Sequence, residues 1–187
     1  MKKVVLLGDS IRELGYGTKV PELLKDEFEV WQPNDNCRFA YFTFRWVMVD
    51  WRKNIEGAEV IHWNNGIWDS CIVDEDGSFT PKEEYVKVML RIARLLKTLG
   101  KKVIFATTTP TPPENTAARD EVIAEYNEAL VPKLREMGII INDLYSAVKT
   151  DVRKYIDQND MLHLSKDGID FAAEKVADAI RKAAKDI

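Results

Sequence analysis

The feature that most constrains the fold is the alternation of short apolar runs with longer amphipathic segments along the chain. Each run is rich in valine, isoleucine or aromatic residues and is short enough to form a buried strand. Strands that alternate with helices predict an α/β protein, in which an open parallel sheet is covered by helices on both faces. The predicted strands are Lys3–Leu7, Phe28–Gln32, Glu59–Trp63, Val103–Thr107 and Ile139–Asn142.

The segments between these runs carry apolar residues at spacings of three and four, which is typical of amphipathic helices. Thr80 and Pro81 are expected to occupy the cap and the first position of one helix, and Ser165 is expected to cap another. Pro132 should kink or interrupt the helix that contains it. The predicted helices cover residues 42–53, the segment from Thr80 to a closing Gly100, residues 115–137 and the segment from Ser165 onward.

Composition narrows the class of protein further. The 187 residues fit a single domain, 1–187, and their net charge of -4 provides no basic surface for nucleic acid. No stretch reaches the ~20 apolar residues of a membrane span, and the first apolar run stops at Gly8, short of the ~7–15 residues of a signal peptide. We therefore expect a cytoplasmic protein that binds neither nucleic acid nor membrane. Cys37 and Cys71 lack a disulfide-framework or metal-binding pattern and are expected to be buried bystanders.

The residues that follow the predicted strands are the candidates for chemistry, because ligands bind beyond the carboxyl ends of such sheets. Gly8-Asp9-Ser10 follows the first strand, where the start of a helix would present the serine hydroxyl and backbone N–H groups to an anion. Asn64 follows the third strand, and its carboxamide can donate a hydrogen bond into the same crevice. Each motif by itself also fits an ordinary turn or helix cap.

A third candidate, the pair Asp160 and His163, precedes the last predicted helix. The chain has only two histidines, so a histidine base is either His163 or His62. Asp160 lies three residues before His163, close enough to fix the tautomer of the imidazole and stabilise the imidazolium. Together with Ser10 and Asn64, this pair predicts a nucleophile, a base, an orienting carboxylate and an oxyanion donor at one edge of the sheet.

These motifs resemble the conserved blocks of the SGNH, or GDSL-like, hydrolase superfamily. Gly8-Asp9-Ser10 resembles its first block, with Ile11 in place of the usual leucine. Asn64 resembles the asparagine of the third block, and Asp160-x-x-His163 resembles the fifth. The segment from Ile61 to Asp69 is similar to a bacterial subgroup with a His-aromatic-Asn sequence. The resemblance covers the whole chain and implies a flavodoxin-like three-layer α/β/α sandwich with strand order 2-1-3-4-5.

The resemblance also implies a serine esterase that uses no metal and no organic cofactor. Ser10 would attack an ester carbonyl while His163 removes its proton, and Asp160 would hold the imidazole. The amide of Ser10 and the side chain of Asn64 would hold the oxyanion of the tetrahedral intermediate.

One departure concerns the third oxyanion donor. The second block of the family offers the N–H of a glycine, but no glycine occurs between Gly17 and Gly57. The matching segment is Asn34–Phe39, so we expect the backbone N–H of Cys37 or Arg38 to donate instead. Arg38 would also be placed to meet an anionic group of the substrate.

The expected partner is a small-molecule or carbohydrate ester, since a chain this short leaves little room for a lid or a long acyl tunnel. Acetyl esters are favoured above all. Asn65, Trp68 and Tyr41 are expected to bind the substrate. The aromatic residues that would stack on a sugar are Trp63, Trp68 and Tyr41, although each fits a core position equally well. An acyltransferase with the same triad and a non-catalytic flavodoxin-like binding module are the alternatives. The oligomeric state does not follow from the sequence.

Overall fold

A five-stranded parallel sheet lies at the centre of the computed structural model, which describes residues 1–185. The five strands lie in the predicted spatial order. Two further short strands, which were not predicted, form a separate antiparallel hairpin. The main sheet has the order β2-β1-β3-β6-β7 and the hairpin is β4-β5, where the strands are β1 (Lys2–Leu7), β2 (Phe28–Trp31), β3 (Ala58–Trp63), β4 (Ile72–Asp74), β5 (Gly77–Ser78), β6 (Gly100–Ala106) and β7 (Ile140–Asn142).

Helices cover both faces of this sheet and complete the three layers. Two short turns precede the first of them, a π-helical turn over Ile11–Gly15 and a 3₁₀ turn over Tyr16–Thr18. The helices are α1 (Val20–Leu24), α2 (Ala40–Met48), α3 (Arg52–Ile55), α4 (Ile67–Ser70), α5 (Lys82–Leu99), α6 (Asp120–Glu136), α7 (Leu144–Lys149), α8 (Val152–Tyr155) and α9 (Lys166–Ala184). None of the helices within residues 1–185 combines the length and the apolar character needed to cross a bilayer.

The alternation of side chains along the central strands creates two separate cores. In β1, Val5 and Leu7 face the layer that contains α2, α5 and α6, whereas Val4 and Leu6 face the layer that contains α1 and α9. All four side chains are fully buried. All consecutive residues from Val4 to Leu7 are apolar because helices cover both faces of the sheet.

Several predicted helix boundaries are wrong. Pro81 is the residue before α5 and not its first residue, whereas Gly100 closes the helix as predicted, its N–H donating to the carbonyl of Leu96, and also begins β6. The helix predicted over residues 42–53 is divided into α2 and α3. The α6 helix begins at Asp120, because the preceding residues form a turn in which Asn115 Oδ1 accepts from two backbone N–H groups. Pro132 lies inside α6 without ending it, since buried leucines on both sides of it pack against the sheet.

Candidate active site

Ser10, His163 and Asp160 meet above the carboxyl end of β1. His163 Nε2 lies 2.9 Å from Ser10 Oγ, and His163 Nδ1 lies 2.7 Å from Asp160 Oδ2. Ser10 begins the turn after β1, whereas Asp160 and His163 precede α9. His163 lies 153 positions after Ser10 in the sequence. The structure thus brings the three predicted residues into the hydrogen-bonded chain that an activated serine requires.

The local conformation of the Asp160–His163 segment presents both side chains to Ser10. Asp160 Oδ1 accepts hydrogen bonds from the backbone N–H groups of Leu162 and His163, at 2.9 and 3.0 Å. Met161 lies between Asp160 and Leu162 and has a φ of 58°. Residues other than glycine rarely adopt this left-handed conformation outside functional or tightly constrained turns. Partial burial opposes ionisation of Asp160, but the hydrogen bonds from His163 and Leu162 outweigh it and hold the pKa of the carboxyl below its usual value.

Neighbouring backbone contacts fix this segment in place. The backbone N–H of Asp157 donates to the carbonyl of His163, and that of Met161 donates to the carbonyl of Asp157, both at 2.8 Å. The side chain of Asn115 donates to the carbonyl of Met161 at 2.9 Å. The backbone that carries Asp160 and His163 is therefore held in position before any ligand arrives.

Asn64 is held in one orientation by two buried partners. Its Nδ2 donates to Asp9 Oδ1 at 2.8 Å, and its Oδ1 accepts from the hydroxyl of Tyr16 at 2.6 Å. A carboxamide nitrogen carries two hydrogens, so the bond to Asp9 leaves the second available as a donor. The hydrogen bond from Tyr16 also opposes a 180° flip of the carboxamide, which would exchange the positions of its oxygen and its nitrogen.

Asp9 is fully buried beneath this amide. Burial raises its pKa, while hydrogen bonds from Asn64 and from the N–H of Ile11, together with the charge of Arg12, act in the opposite direction. Asp9 therefore serves as an internal acceptor that orients Asn64.

The guanidinium of Arg12 ties the loop after β2 to the strand end that carries Ser10. Arg12 is only 2% exposed, and it donates to the carbonyls of Gly8, Pro33 and Asp35. A third contact in that loop is Gln32 Oε1, at 3.3 Å. A buried guanidinium that donates to three backbone carbonyls braces the two loops against each other.

The predicted third oxyanion donor is corrected by the structure. The N–H of Cys37 donates to the carbonyl of Gly8 at 3.0 Å, and the N–H of Arg38 donates to Asn36 Oδ1 at 2.7 Å. Both groups are therefore already occupied. Cys37 Sγ also accepts the N–H of Gly8, and burial raises the pKa of its thiol to about 12. The Arg38 guanidinium lies over the ring of Phe42, 4.6 Å from its centre.

Two of the three predicted substrate-binding residues lie elsewhere. Asn65 is fully buried, and its side chain accepts from the indole of Trp63 and donates to the carbonyl of Arg38. It is therefore a brace for the loop and has no access to a ligand. Tyr41 lies on α2 and is 45% exposed. It is not among the described residues that line the cleft beside Ser10. Trp68 does line that cleft.

The cleft beside Ser10 has a volume of about 420 Å³ and is mainly apolar. Its floor and walls come from the segment after Asn64, from the β4-β5 hairpin and from the residue next to His163. The lining residues are Ser10, Ile67, Trp68, Cys71, Val73, Phe79, Leu162 and His163. Cys71, expected to be a bystander, is thus part of the cleft wall.

Sequence reasoning missed the residues that support Asn64 and most of those that line the cleft. Asp9 belongs to the motif that carries Ser10, which is a usable signal. Tyr16 and Arg12 give no such signal, because they lie in irregular turns whose geometry no periodicity reveals. The β4-β5 hairpin, which contains Val73 and is followed directly by Phe79, is too short to be predicted as a strand pair.

Solved structures with the same architecture include several esterases. An acetyl xylan esterase, AlAXEase, is 22% identical, with a TM-score of 0.74 over 95% of this chain and 99% of that chain. A lipase/acylhydrolase from Enterococcus faecalis is 18% identical, with a TM-score of 0.75 over 97% and 96%. A carbohydrate esterase family 3 protein from Talaromyces cellulolyticus is 17% identical, with a TM-score of 0.76 over the full length of both chains.

These likenesses show that the chain has the fold of the SGNH hydrolases. Axe2, an acetylxylan esterase from Geobacillus stearothermophilus, has the same fold, and its catalytic mutants include replacements of a serine, an aspartate and a histidine by alanine. In Axe2 the aspartate and the histidine are three positions apart. No protein-family model and no curated protein matches the sequence.

Proposed function

We propose that this protein is a serine esterase that hydrolyses carboxylic esters through Ser10, His163 and Asp160. The observation that carries the proposal is the continuous hydrogen-bonded chain from Ser10 Oγ through the imidazole to the Asp160 carboxylate. An adjoining apolar cleft gives an ester access to Ser10. The fold shared with esterases and an acylhydrolase supports the same assignment.

In the acylation step, Ser10 Oγ bonds to the ester carbonyl carbon and its proton moves to His163 Nε2. Asp160 stabilises the resulting imidazolium and keeps the ring oriented. The bond between the carbonyl carbon and the alcohol oxygen then breaks, and His163 gives its proton to the departing alcohol. The products of this half-reaction are the free alcohol and an acyl-serine.

In the deacylation step, water replaces the alcohol. His163 takes a proton from the water while the water oxygen bonds to the acyl carbon. The bond between the acyl carbon and Ser10 Oγ then breaks as His163 returns the proton to the serine. The carboxylic acid leaves and the enzyme is regenerated. In both steps, the negative oxygen of the tetrahedral intermediate would be held by the Ser10 amide and by Nδ2 of Asn64.

Acetyl esters, including those on carbohydrate, are the first substrates to test, because several proteins of this fold are acetyl xylan esterases. The test compares p-nitrophenyl acetate and an acetylated xylo-oligosaccharide as substrates, and uses a fluorophosphonate probe to label the nucleophile. Wild-type protein should hydrolyse the ester and carry the label on Ser10.

The matched variants for this test are Ser10→Ala and Ser146→Ala, since Ser146 is an exposed serine outside the cleft. Ser10→Ala should lose the label and at least about 10³-fold in kcat, while Ser146→Ala keeps both. A folded Ser10→Ala protein with wild-type hydrolysis would refute the assignment and favour a binding module with an adventitious esterase background.

A further inference from the structure

Large apolar side chains are concentrated at the cleft beside Ser10. Trp68 is 41% exposed, Val73 58% and Phe79 43%, and all three line this one cleft. Contiguous exposed apolar surface is unusual on a soluble domain and marks a place where something binds. Ile67 and Leu162 complete the apolar lining.

The apolar wall is preformed by hydrogen bonds from neighbouring backbone. The N–H of Phe79 donates to the carbonyl of Cys71, and the N–H of Ile72 donates to the carbonyl of Ala117, both at 2.8 Å. The ring of Phe79 packs against that of Phe39, with ring centres 5.0 Å apart. The β4-β5 hairpin is therefore fastened at its base on two sides, and the cleft does not depend on a ligand to form.

Polar groups for recognising a sugar are missing from this wall within the described chain. Apart from Ser10 and His163, the lining residues carry hydrocarbon, indole or thiol groups only. A sugar hydroxyl placed here would lose its hydrogen bonds to water without finding replacements, which costs free energy. A hydrocarbon chain would gain free energy in the same place.

We propose that this cleft binds the acyl chain of the ester and that it prefers an acyl chain longer than acetyl, such as hexanoyl. The inference rests on the proposed function and specifies its substrate. A methylene has about the volume of a water molecule, roughly 30 Å³, so an acetyl methyl group would fill less than about a tenth of the 420 Å³. The acyl side is assigned because the acyl group stays on Ser10 through both steps, whereas the alcohol must leave to admit water.

A pair of isomeric esters separates the acyl side from the alcohol side. Ethyl hexanoate and hexyl acetate have the same composition, but only the first carries its long chain on the acyl side. Hydrolysis by the wild-type protein would be followed by titration of the released acid, with ethyl acetate as the reference. Each methylene that enters the cleft should raise kcat/KM by about two- to four-fold. Ethyl hexanoate carries four more methylenes on the acyl side, so its kcat/KM should exceed that of ethyl acetate by roughly 16- to 250-fold and should also exceed that of hexyl acetate.

Two valine variants locate the effect in the cleft. Val73 lies in the cleft wall and Val49 lies outside it, and their exposures are similar, at 58% and 53%. Val73→Asp should reduce the ratio of kcat/KM for ethyl hexanoate to that for ethyl acetate by about 10-fold, because a charge is introduced beside the chain. Val49→Asp should leave this ratio unchanged. Both positions are exposed enough that the substitution should not prevent folding.

The outcomes are distinguishable from failure of the proposed function. Hydrolysis of ethyl acetate as fast as ethyl hexanoate would overturn the acyl-chain proposal and leave the esterase assignment intact. Faster hydrolysis of hexyl acetate would assign the cleft to the alcohol side and overturn the proposal in the same way. Failure to hydrolyse all three esters, with no fluorophosphonate label on Ser10, would overturn the esterase assignment and the inference with it.

Discussion

The hydroxyl of Tyr16 donates a 2.6 Å hydrogen bond to Oδ1 of Asn64, and both residues are buried. Burial, followed by the nearby charge of Asp9, raises the pKa of Tyr16 well above its usual value. The phenol therefore remains a neutral donor throughout the pH range of any assay. This contact determines which way the Asn64 carboxamide faces.

The first prediction concerns Asn64 as an oxyanion donor. Asn64→Ala should lower kcat by about 10²–10³-fold, because the transition state loses a hydrogen bond that the ground state does not need. Steady-state hydrolysis of a p-nitrophenyl ester measures this. Asn127→Ala is the matched control, since Asn127 is also buried and bonds to the backbone N–H and carbonyl of Thr108. An equal loss of kcat in both variants would assign Asn64 a structural role only.

Tyr16→Phe should lower kcat by about 10-fold with a small change in KM. The ring still fills its site, but Asn64 Oδ1 loses its donor and the amide is less firmly oriented. The control is Tyr126→Phe, which removes a buried hydrogen bond of the same length, 2.6 Å, to the carbonyl of Thr80. Thermal unfolding of both variants separates stability from orientation. If kcat is unchanged in folded Tyr16→Phe, the orienting role is wrong.

Gly8 is required for close approach, and Gly8→Ala should show this. A Cβ at Gly8 would lie 2.0 Å from Asn64 Oδ1 and 2.7 Å from Arg12 Cβ, so Asn64 must shift. We expect kcat to fall by about 10²-fold, as for direct loss of Asn64. Gly57→Ala is the contrast, because its φ of 78° imposes strain while no atom lies within 4 Å of the added Cβ. That variant should lose about 1 kcal/mol of stability and keep its activity.

Asp160→Asn should reduce kcat by about 10²–10⁴-fold while the loop keeps its shape. Asparagine can still accept the two backbone N–H groups through one oxygen, but its nitrogen cannot accept from His163 Nδ1. Asp157→Asn is the control in the same loop, since the Asp157 carboxylate contacts Asn159 and not the imidazole. Circular dichroism checks the fold. Equal activity of both variants would remove Asp160 from the proposed triad.

The remaining histidine predicts a pH dependence of stability. Burial lowers the pKa of His62 from 6.5 to about 3. In the unfolded chain the pKa returns to about 6.5, so the unfolded state binds more protons below that pH. The free energy of unfolding should therefore fall on acidification between those two values, by up to about 1.4 kcal/mol per pH unit.

Urea unfolding between about pH 7 and pH 4 measures this dependence, with His62→Phe as the comparison. In the variant, the free energy of unfolding should fall less steeply with decreasing pH than in the wild type. The two slopes should differ by up to about 1.4 kcal/mol per pH unit, whatever the stability of the variant at neutral pH. Parallel profiles for the two proteins would contradict a neutral buried His62.

The strand pattern and the site motifs could be predicted from the sequence because both are local. A buried strand such as β1 requires consecutive apolar residues, and a residue such as Ser10 or Asn64 at its carboxyl end is placed by the sheet itself. The Asp160-x-x-His163 spacing is local too, and one turn of chain suffices to join the two side chains. Helix ends were predicted less well, since the position of α6 depends on a side-chain turn at Asn115.

Tertiary structure alone decided what surrounds Ser10. The amides of Cys37 and Arg38 were equally good donors in the sequence, but the folded loop gives each a different acceptor. Asn65 is buried behind the loop, whereas the unpredicted hairpin brings Val73 and Phe79 to the cleft. Periodicity in a sequence determines which residues are buried within an element. Which distant loops share a hydrogen bond or an apolar wall depends on packing in three dimensions, and this packing selected both the support of Asn64 and the lining of the cleft.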